Sequence, residues 1–474
     1  MRAGLIGLMA AVFAVSLATV SYRGLAAPAF ALAAVGMLGL TLLFFFVYTR
    51  PLFALMAALA FVTSPMSLFL SLQDSALISA FLLGGAGLGF AIRARRRKLT
   101  ADPLFVPIAI STSYGILCGA YGLLLGNEIG YLLGDCFQII EFAAVYFLVA
   151  QLLTDRRKVY LLLKVLLVSM LMTALLELLL SALGPGAGDL LPSWDGSFIS
   201  GSLIRTIDID ATILFAVLIN LYTVATRRQR LWIAVALIPT VANIALSLSR
   251  GLWLCTLVSA VVTAVLLARK ARKKAMVTFA AVAVCLVVLA ASWKISSGSE
   301  SDSDISLLNV LQERIFYGVD QIAAGLAGTE SMATRRFLEM AIVGPQVLAN
   351  PWVGHGLGAT YVIGGYAVLD SGTNELIDHH FIHNLYLVTA FRMGVIGLCL
   401  LLWVFFLYFR KSLRNRRILA VGVSRALITG FIAMIAGQLF LSITQPTIID
   451  HPTGALIACA MAMSFRLKAL EQSI

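Results

Sequence analysis

Charge is what this sequence has least of. Asp, Glu, Lys and Arg supply 12% of the residues against 60% hydrophobic ones, too little polar surface to cover a water-facing chain of 474 residues. That shortage excludes a soluble globular domain and makes lipid the solvent for most of the chain. Cysteine is also sparse. The six cysteines (Cys118, Cys136, Cys255, Cys285, Cys399 and Cys459) all fall inside apolar runs, none in a C-x-x-C or Cys/His ligand spacing. They read as small buried hydrophobes, and no disulfide framework is implied. Repeats at solenoid periods are missing, as are Pro-rich or Gly/Ser-rich linkers long enough to divide the chain. One membrane domain with a loop insertion is the simplest organisation.

What charge there is carries a formal excess of +12. The basic residues stand in short clusters between apolar runs of about twenty residues, the pattern of membrane-boundary loops, so no nucleic-acid partner is expected. Apolar runs bounded by charge, Pro or Gly predict fourteen spans, at roughly 4–22, 25–48, 52–72, 76–92, 102–125, 129–153, 159–183, 211–226, 231–248, 252–268, 275–293, 383–409, 418–444 and 453–465. The run after Arg2 is long for a signal-peptide core and lacks a clear cleavage site before Arg23, so it reads as a retained first helix. Alternating sides puts Arg93 to Lys98, Arg156 to Lys158, Arg227 to Arg230, Arg269 to Lys274 and Arg410 to Arg417 in one compartment, which the positive-inside rule makes the cytoplasm. Both termini are then expected on the cytoplasmic side of a bacterial inner membrane. The fold class is all-α integral membrane, a polytopic bundle of about 12–14 helices with a large helical periplasmic loop. Its parts are 1–230, N-terminal helices with a periplasmic loop at 184–210; 231–409, a core with the large loop at 294–382; and 410–474, C-terminal helices.

All five histidines (His355, His379, His380, His383 and His451) fall on the side opposite the basic clusters, as do most acidic residues. Histidine suits proton transfer near neutral pH, so the asymmetry points to extracytoplasmic chemistry or ligand binding. The densest stretch is His379-His380-Phe381-Ile382-His383-Asn384, running straight into a span with Arg392, Gly394 and Gly397. At about 100° per helical residue, Gly394 and Gly397 return to within about 40° of the face of His383, and Arg392 lies opposite. The glycines either let a neighbouring helix approach closely or are ordinary small packing residues. Arg250, in the turn Ser249-Arg250-Gly251, has two readings, a bidentate ligand for a lipid diphosphate or a snorkelling interfacial arginine. Arg205 likewise binds an anion or pairs locally with Asp208 or Asp210.

Apolar periodicity at about 303–325 and 331–349 predicts two amphipathic helices on the membrane surface or capping the bundle, the second capped by Ser331 or Thr329. On them Arg314, Arg335 and Arg336 either touch an anionic substrate or sit on a solvated face. The turn Asn350-Pro351 to Gly358 is glycine-rich but lacks the context of a nucleotide loop. His379 and His383 would share a helical face at i, i+4, yet with neither cysteine nor a zinc-protease glutamate nearby no metal site is expected. Asp135, Glu141, Glu177 and Arg392 lie within spans, where charge is costly unless paired, and mark a substrate path or interhelical pairs.

These residues resemble the bacterial O-antigen ligase and polysaccharide polymerase superfamily. Its signature is a His followed by Asn, Ser or Gln, nine residues, then Gly-x-x-Gly, which His383, Asn384, Gly394 and Gly397 match at every position. The Ser249-Arg250-Gly251 turn and the Pro351-x-x-Gly354-x-Gly356 element also look like the family's, and the resemblance covers roughly 235–400. The fourteen spans exceed the family's usual dozen or so. The resemblance implies a GT-C-like, membrane-embedded, inverting glycosyltransferase that needs no metal or other cofactor. It would move a glycan from undecaprenyl diphosphate to an acceptor hydroxyl in the periplasm, the acceptor being a second lipid-linked glycan, lipid A core or a protein side chain. A polymerase is slightly favoured over a ligase. In that scheme His383 is the general base, and Arg250, with Arg205, binds the diphosphate. The competing class is a transporter of lipid-linked oligosaccharide, which would be expected to show two related halves and midplane charges.

Overall fold

The computed structural model describes residues 50–63, 72–94, 102–183, 198–199, 203–204, 209–247, 249–267, 272–273, 277, 294–295, 305–306, 332–362, 378–448 and 453–472. The spans expected at 4–22 and 25–48, Arg205, Arg314 and His451 lie outside those residues, as do the span expected at 275–293 apart from residue 277 and the amphipathic helix expected at 303–325 apart from 305–306, which pair as a strand with 294–295 and are not helical. Arg335 and Arg336 are placed by their backbone, with side chains outside the description.

Twelve helices occur among the described residues: α1 (Pro51–Val62), α2 (Leu72–Ala94), α3 (Phe105–Leu124), α4 (Ile129–Leu152), α5 (Arg156–Leu183), α6 (Ile209–Val224), α7 (Arg227–Leu246), α8 (Arg250–Leu266), α9 (Met332–Ala349), α10 (Leu385–Ile418), α11 (Val423–Leu441) and α12 (Thr453–Glu471). Three two-residue antiparallel pairs occur among the described residues: β1 (Phe198–Ile199) with β2 (Leu203–Ile204), β3 (Lys294–Ile295) with β4 (Ile305–Ser306), and β5 (Tyr361–Val362) with β6 (Asp378–His379). Among the described residues seven helices are long and apolar enough to cross a membrane, and α1, α6, α8 and parts of α2 and α9 are shorter apolar helices. The chain is a polytopic helical membrane protein.

Each of the eleven expected spans within the described residues coincides with a helix, but the ends differ for a physical reason. Basic residues expected in loops belong to helical turns: α5 opens on Arg156, α7 on Arg227, and α10 runs on to Ile418. In α7 a capping box, Thr226 with Gln229, starts the helix at the arginines. At the far end of α10 the buried Arg416 guanidinium donates to the Leu266 carbonyl that ends α8 and to Thr429 at 3.0 Å, which keeps that end helical. The short α6 is buried from Asp210 to Asn220, so it faces protein and its length is not set by the bilayer. α11 and α12 form the enclosed centre, while Leu117, Leu124, Leu231 and Trp232 turn outward as a lipid-facing surface.

Contacts between helix ends sort the bundle into two faces. Arg466 of α12 donates to the Leu153 carbonyl after α4, Arg156 pairs with Glu471 at 2.7 Å, and Glu471 accepts from Ser424 at the start of α11. With the Arg416 contact to α8, these join the basic ends on one face. On the other face the α10 start is tied to the α11 end by Leu385 N–H donating to the Ser442 carbonyl at 2.9 Å. α9 docks on that face through a small core of Val343, Ala359, Tyr361, Ile382, Val388 and Phe391.

α10 is not one continuous helix. Asn384 caps it by accepting from Tyr386 N–H and Leu387 N–H, but Gly394 stands at φ 66°, ψ −174°, a region essentially reserved for glycine. The Pro351–Gly358 turn fills the break. Val395 N–H donates to the Pro351 carbonyl at 2.7 Å, His355 N–H donates to the Phe391 carbonyl at 2.8 Å, and the Tyr114 hydroxyl donates to the Met393 carbonyl at 3.0 Å. What approaches Gly394 is therefore the Trp352 backbone of a loop and not a neighbouring helix. Gly354 and Gly358 also have positive φ, and a Cβ at either would meet backbone, of Phe391 to Gly394 or of Leu132. Replacing Gly394 by Ala is expected to cost about 1–3 kcal/mol in backbone conformation alone. A further cost comes from the clash with Trp352, so thermal unfolding in detergent should begin at a clearly lower temperature; a variant as stable as wild type would contradict the break.

Candidate functional site

His383 sits in the last residues before α10, at the mouth of the bundle, with its side chain 47% exposed. Its ring is held from one side. Nδ1 lies 3.3 Å and 3.4 Å from the two carboxylate oxygens of Glu339, and the His383 backbone N–H donates to Glu339 Oε1 at 3.0 Å. Glu339 projects from α9 and is itself buried, its side chain 8% exposed. The Tyr361 hydroxyl donates to the same Oε1 at 3.4 Å. Burial, and then the Glu339 charge beside it, raises the Tyr361 hydroxyl above its ordinary value and keeps it a donor. Phe381 meets the His383 ring edge-on, with centroids 4.9 Å apart.

The segment before His383 is pinned by an ion pair deep in the bundle. Arg392 Nη1 donates to Asp135 Oδ1 of α4 at 2.7 Å, and the other oxygen, Oδ2, accepts from Gly358 N–H at 2.8 Å. Arg392 Nη2 donates to the His380 carbonyl at 2.6 Å and lies 2.9 Å from His380 Nε2, while the His380 ring stacks on Tyr131 with centroids 4.1 Å apart. Arg392 thus ties the glycine-rich turn, α4 and the histidine segment together. The pairing resolves two of the four charges within spans as an interhelical pair; Glu177 of α5 bonds Asn243 of α7.

His379 lies in β6 opposite Tyr361, so it does not share a helical face with His383. His355 makes its own local bonds, with Nε2 2.9 Å from the Gln346 carbonyl and its ring against Phe391.

Arg250 begins α8 on the same face. Beside it, a Cβ added to Gly251 would lie 2.8 Å from Leu441 Cδ1 and 3.4 Å from Thr444 Oγ1, in the turn that ends α11. Ser442 of that turn accepts the Leu385 N–H two residues after His383. One turn thus anchors both the arginine and the histidine segments. A buried polar chain stiffens it: Thr447 donates to Gln438 Oε1 at 3.2 Å, and Gln438 Nε2 donates to Thr212 of α6 at 2.8 Å. Glu339, Tyr361 and Gln438 are the site-building residues that sequence reasoning does not single out. Nothing marks Glu339 locally, because an acid in an amphipathic stretch reads as a solvated face.

The geometry defines a class, a polytopic helical membrane protein whose polar site is assembled at one mouth of the bundle. Residues 234–402 match the family model described as O-Antigen ligase, and over that segment the resemblance to the O-antigen ligase and polysaccharide polymerase superfamily holds. The matched stretch contains Arg250, Glu339, His383, Asn384, Arg392, Gly394 and Gly397, while Arg205 and Asp135 precede it. A search of curated proteins finds no match. The family implies a membrane glycosyltransferase-like function in O-antigen or polysaccharide assembly, with lipid-linked glycans as substrates. Asp135→Asn, which leaves the buried Arg392 cation without its counter-ion, is expected to destabilise the protein by about 3–5 kcal/mol. Adding Arg392→Gln should cost less than the sum of the single changes when melting in detergent is followed; small additive losses would show that the pair does not hold the site.

Proposed function

We propose that this chain transfers a glycan from undecaprenyl diphosphate to an acceptor hydroxyl on the periplasmic side of the bacterial inner membrane, with inversion and without a metal. His383 takes the proton of the acceptor hydroxyl as its oxygen attacks the anomeric carbon. The bond from that carbon to the diphosphate breaks on the opposite side, and Arg250 receives the charge that collects on the leaving group. A guanidinium can hold two phosphate oxygens at once, which a helix start at a half-buried position favours. Arg205, Arg314, Arg335 and Arg336 are further cations for the diphosphate or the glycan. Asn384 serves by capping α10, and Gly394 and Gly397 by shaping the helix under the histidine.

The observation that carries this reading is that the segments holding a half-exposed histidine and an arginine at a helix start meet at the same α11 turn, through Leu385 bonded to Ser442 and Gly251 packed on Leu441 and Thr444. The sidedness is supported by the positive-inside rule, since the expected alternation of spans sets the five basic clusters opposite the histidines. A polymerase, joining one lipid-linked glycan to another, is the acceptor class we favour over a ligase acting on lipid A core. Complementation of a deletion strain by His383→Ala and Arg250→Ala, each at normal membrane abundance, should leave glycan trapped on the lipid carrier. Unextended repeats identify a polymerase, and full-length chains absent from lipid A core identify a ligase. Normal surface polymer from both variants would overturn the assignment, and loss of glycan movement across vesicles with chemistry intact would make the chain a transporter.

A further inference from the structure

We infer that Glu339 is the positioning residue of His383, fixing the imidazole as its Nδ1–H tautomer so that Nε2 is the nitrogen presented to the acceptor hydroxyl. The inference rests on the reading of His383 as general base and deepens it. Three contacts carry it. The carboxylate lies within 3.4 Å of Nδ1 through both oxygens, it accepts the His383 backbone N–H at 3.0 Å, and it is buried while the imidazole is half exposed. A carboxylate accepts and does not donate, so Nδ1 beside it must carry the proton. Of the two His383 ring nitrogens, Nδ1 alone has a polar partner among the described residues, and Nε2 keeps its lone pair for the substrate. Binding the backbone N–H and the ring together prevents the imidazole from turning about its side-chain bonds. The Tyr361 hydroxyl, donating to the same carboxylate and placed 3.5 Å from the Phe381 carbonyl, keeps the oxygen aimed at the segment.

The arrangement also gives the large extramembrane loop a chemical role. α9 comes from that loop, and its docking core of Val343, Tyr361, Ile382 and Phe391 brings Glu339 to a histidine 44 residues further along the chain. When the acceptor proton arrives on Nε2, the fixed carboxylate stabilises the imidazolium across Nδ1. The proton then leaves to solvent from the exposed ring edge, and Glu339 remains ionised throughout.

The test uses the full-length protein in nanodiscs, with lipid-linked glycan extracted from cells lacking this chain as substrate. Glu339→Gln keeps the shape but loses the charge, and is expected to lower kcat by about 100-fold or more while KM changes by less than about threefold. The double variant Glu339→Gln with His383→Ala should be no slower than His383→Ala alone, because the two act as a unit. Nitrogen-15 spectra of labelled histidine, with His383 assigned by its loss in His383→Ala, should show the Nδ1–H tautomer in wild type and a mixture in Glu339→Gln. Wild-type kcat in Glu339→Gln, an unchanged tautomer, or a double variant well below His383→Ala would each overturn the role of Glu339. Wild-type turnover by His383→Ala would instead overturn the base reading, and the spectra report on Glu339 independently of turnover.

Discussion

Inside lipid no water is available to satisfy a broken helix, so every peptide group freed at Gly394 has to find a partner within the protein. The glycine-rich turn supplies them. Pro351 and Trp352 offer carbonyls to Val395 and Ile396, and His355 N–H and the Tyr114 hydroxyl satisfy the carbonyls of Phe391 and Met393. This mutual satisfaction lets α10 change direction below the histidine, and it brings the 351–358 turn against α3 and α4. Asn127, between those helices, donates to the His355 and Leu357 carbonyls at 3.0 and 2.9 Å, and Leu357 N–H donates to the Cys118 carbonyl. The glycines of this turn are needed because backbone packs on backbone: a Cβ at Gly356 would run into Gly122.

From that constraint the charged centre follows. Once Gly358 is drawn onto α4, its N–H reaches one oxygen of Asp135 and leaves the other for Arg392, so a carboxylate and a guanidinium are both paired at a depth where neither is tolerated alone. Arg392 then grips the His380 carbonyl, and three residues on stands His383. Placement of the imidazole depends on the charge pair, and the charge pair on backbone satisfaction at the break. Arg392 is thus a structural cation, and the cation proposed to meet the substrate is Arg250.

Much of this was legible in the sequence, and what was not has a common cause. Hydropathy located the membrane helices because lipid demands long apolar runs, yet it misplaced their ends, since arginines such as Arg156 and Arg227 are compatible with a first helical turn at the membrane edge. The His383, Asn384, Gly394 and Gly397 spacing was visible as a motif, but counting helical faces across it assumed a regular helix from 383 to 397. The helix begins at Leu385 and breaks at Gly394, so the face relation to Arg392 does not carry over. Asp135 and Arg392 each announced a need for a partner, but their sequence separation of 257 residues hid the match. Glu339 announced nothing, because its environment is created only when α9 folds back on α10.

The most direct test of the central claim is an experimental structure of the full-length protein with its lipid-linked donor bound. The account predicts the diphosphate in hydrogen-bond contact with Arg250, the anomeric carbon facing the open side of the His383 ring, and Glu339 still on Nδ1. A diphosphate seated away from Arg250, with the His383 ring turned from the sugar, would contradict it.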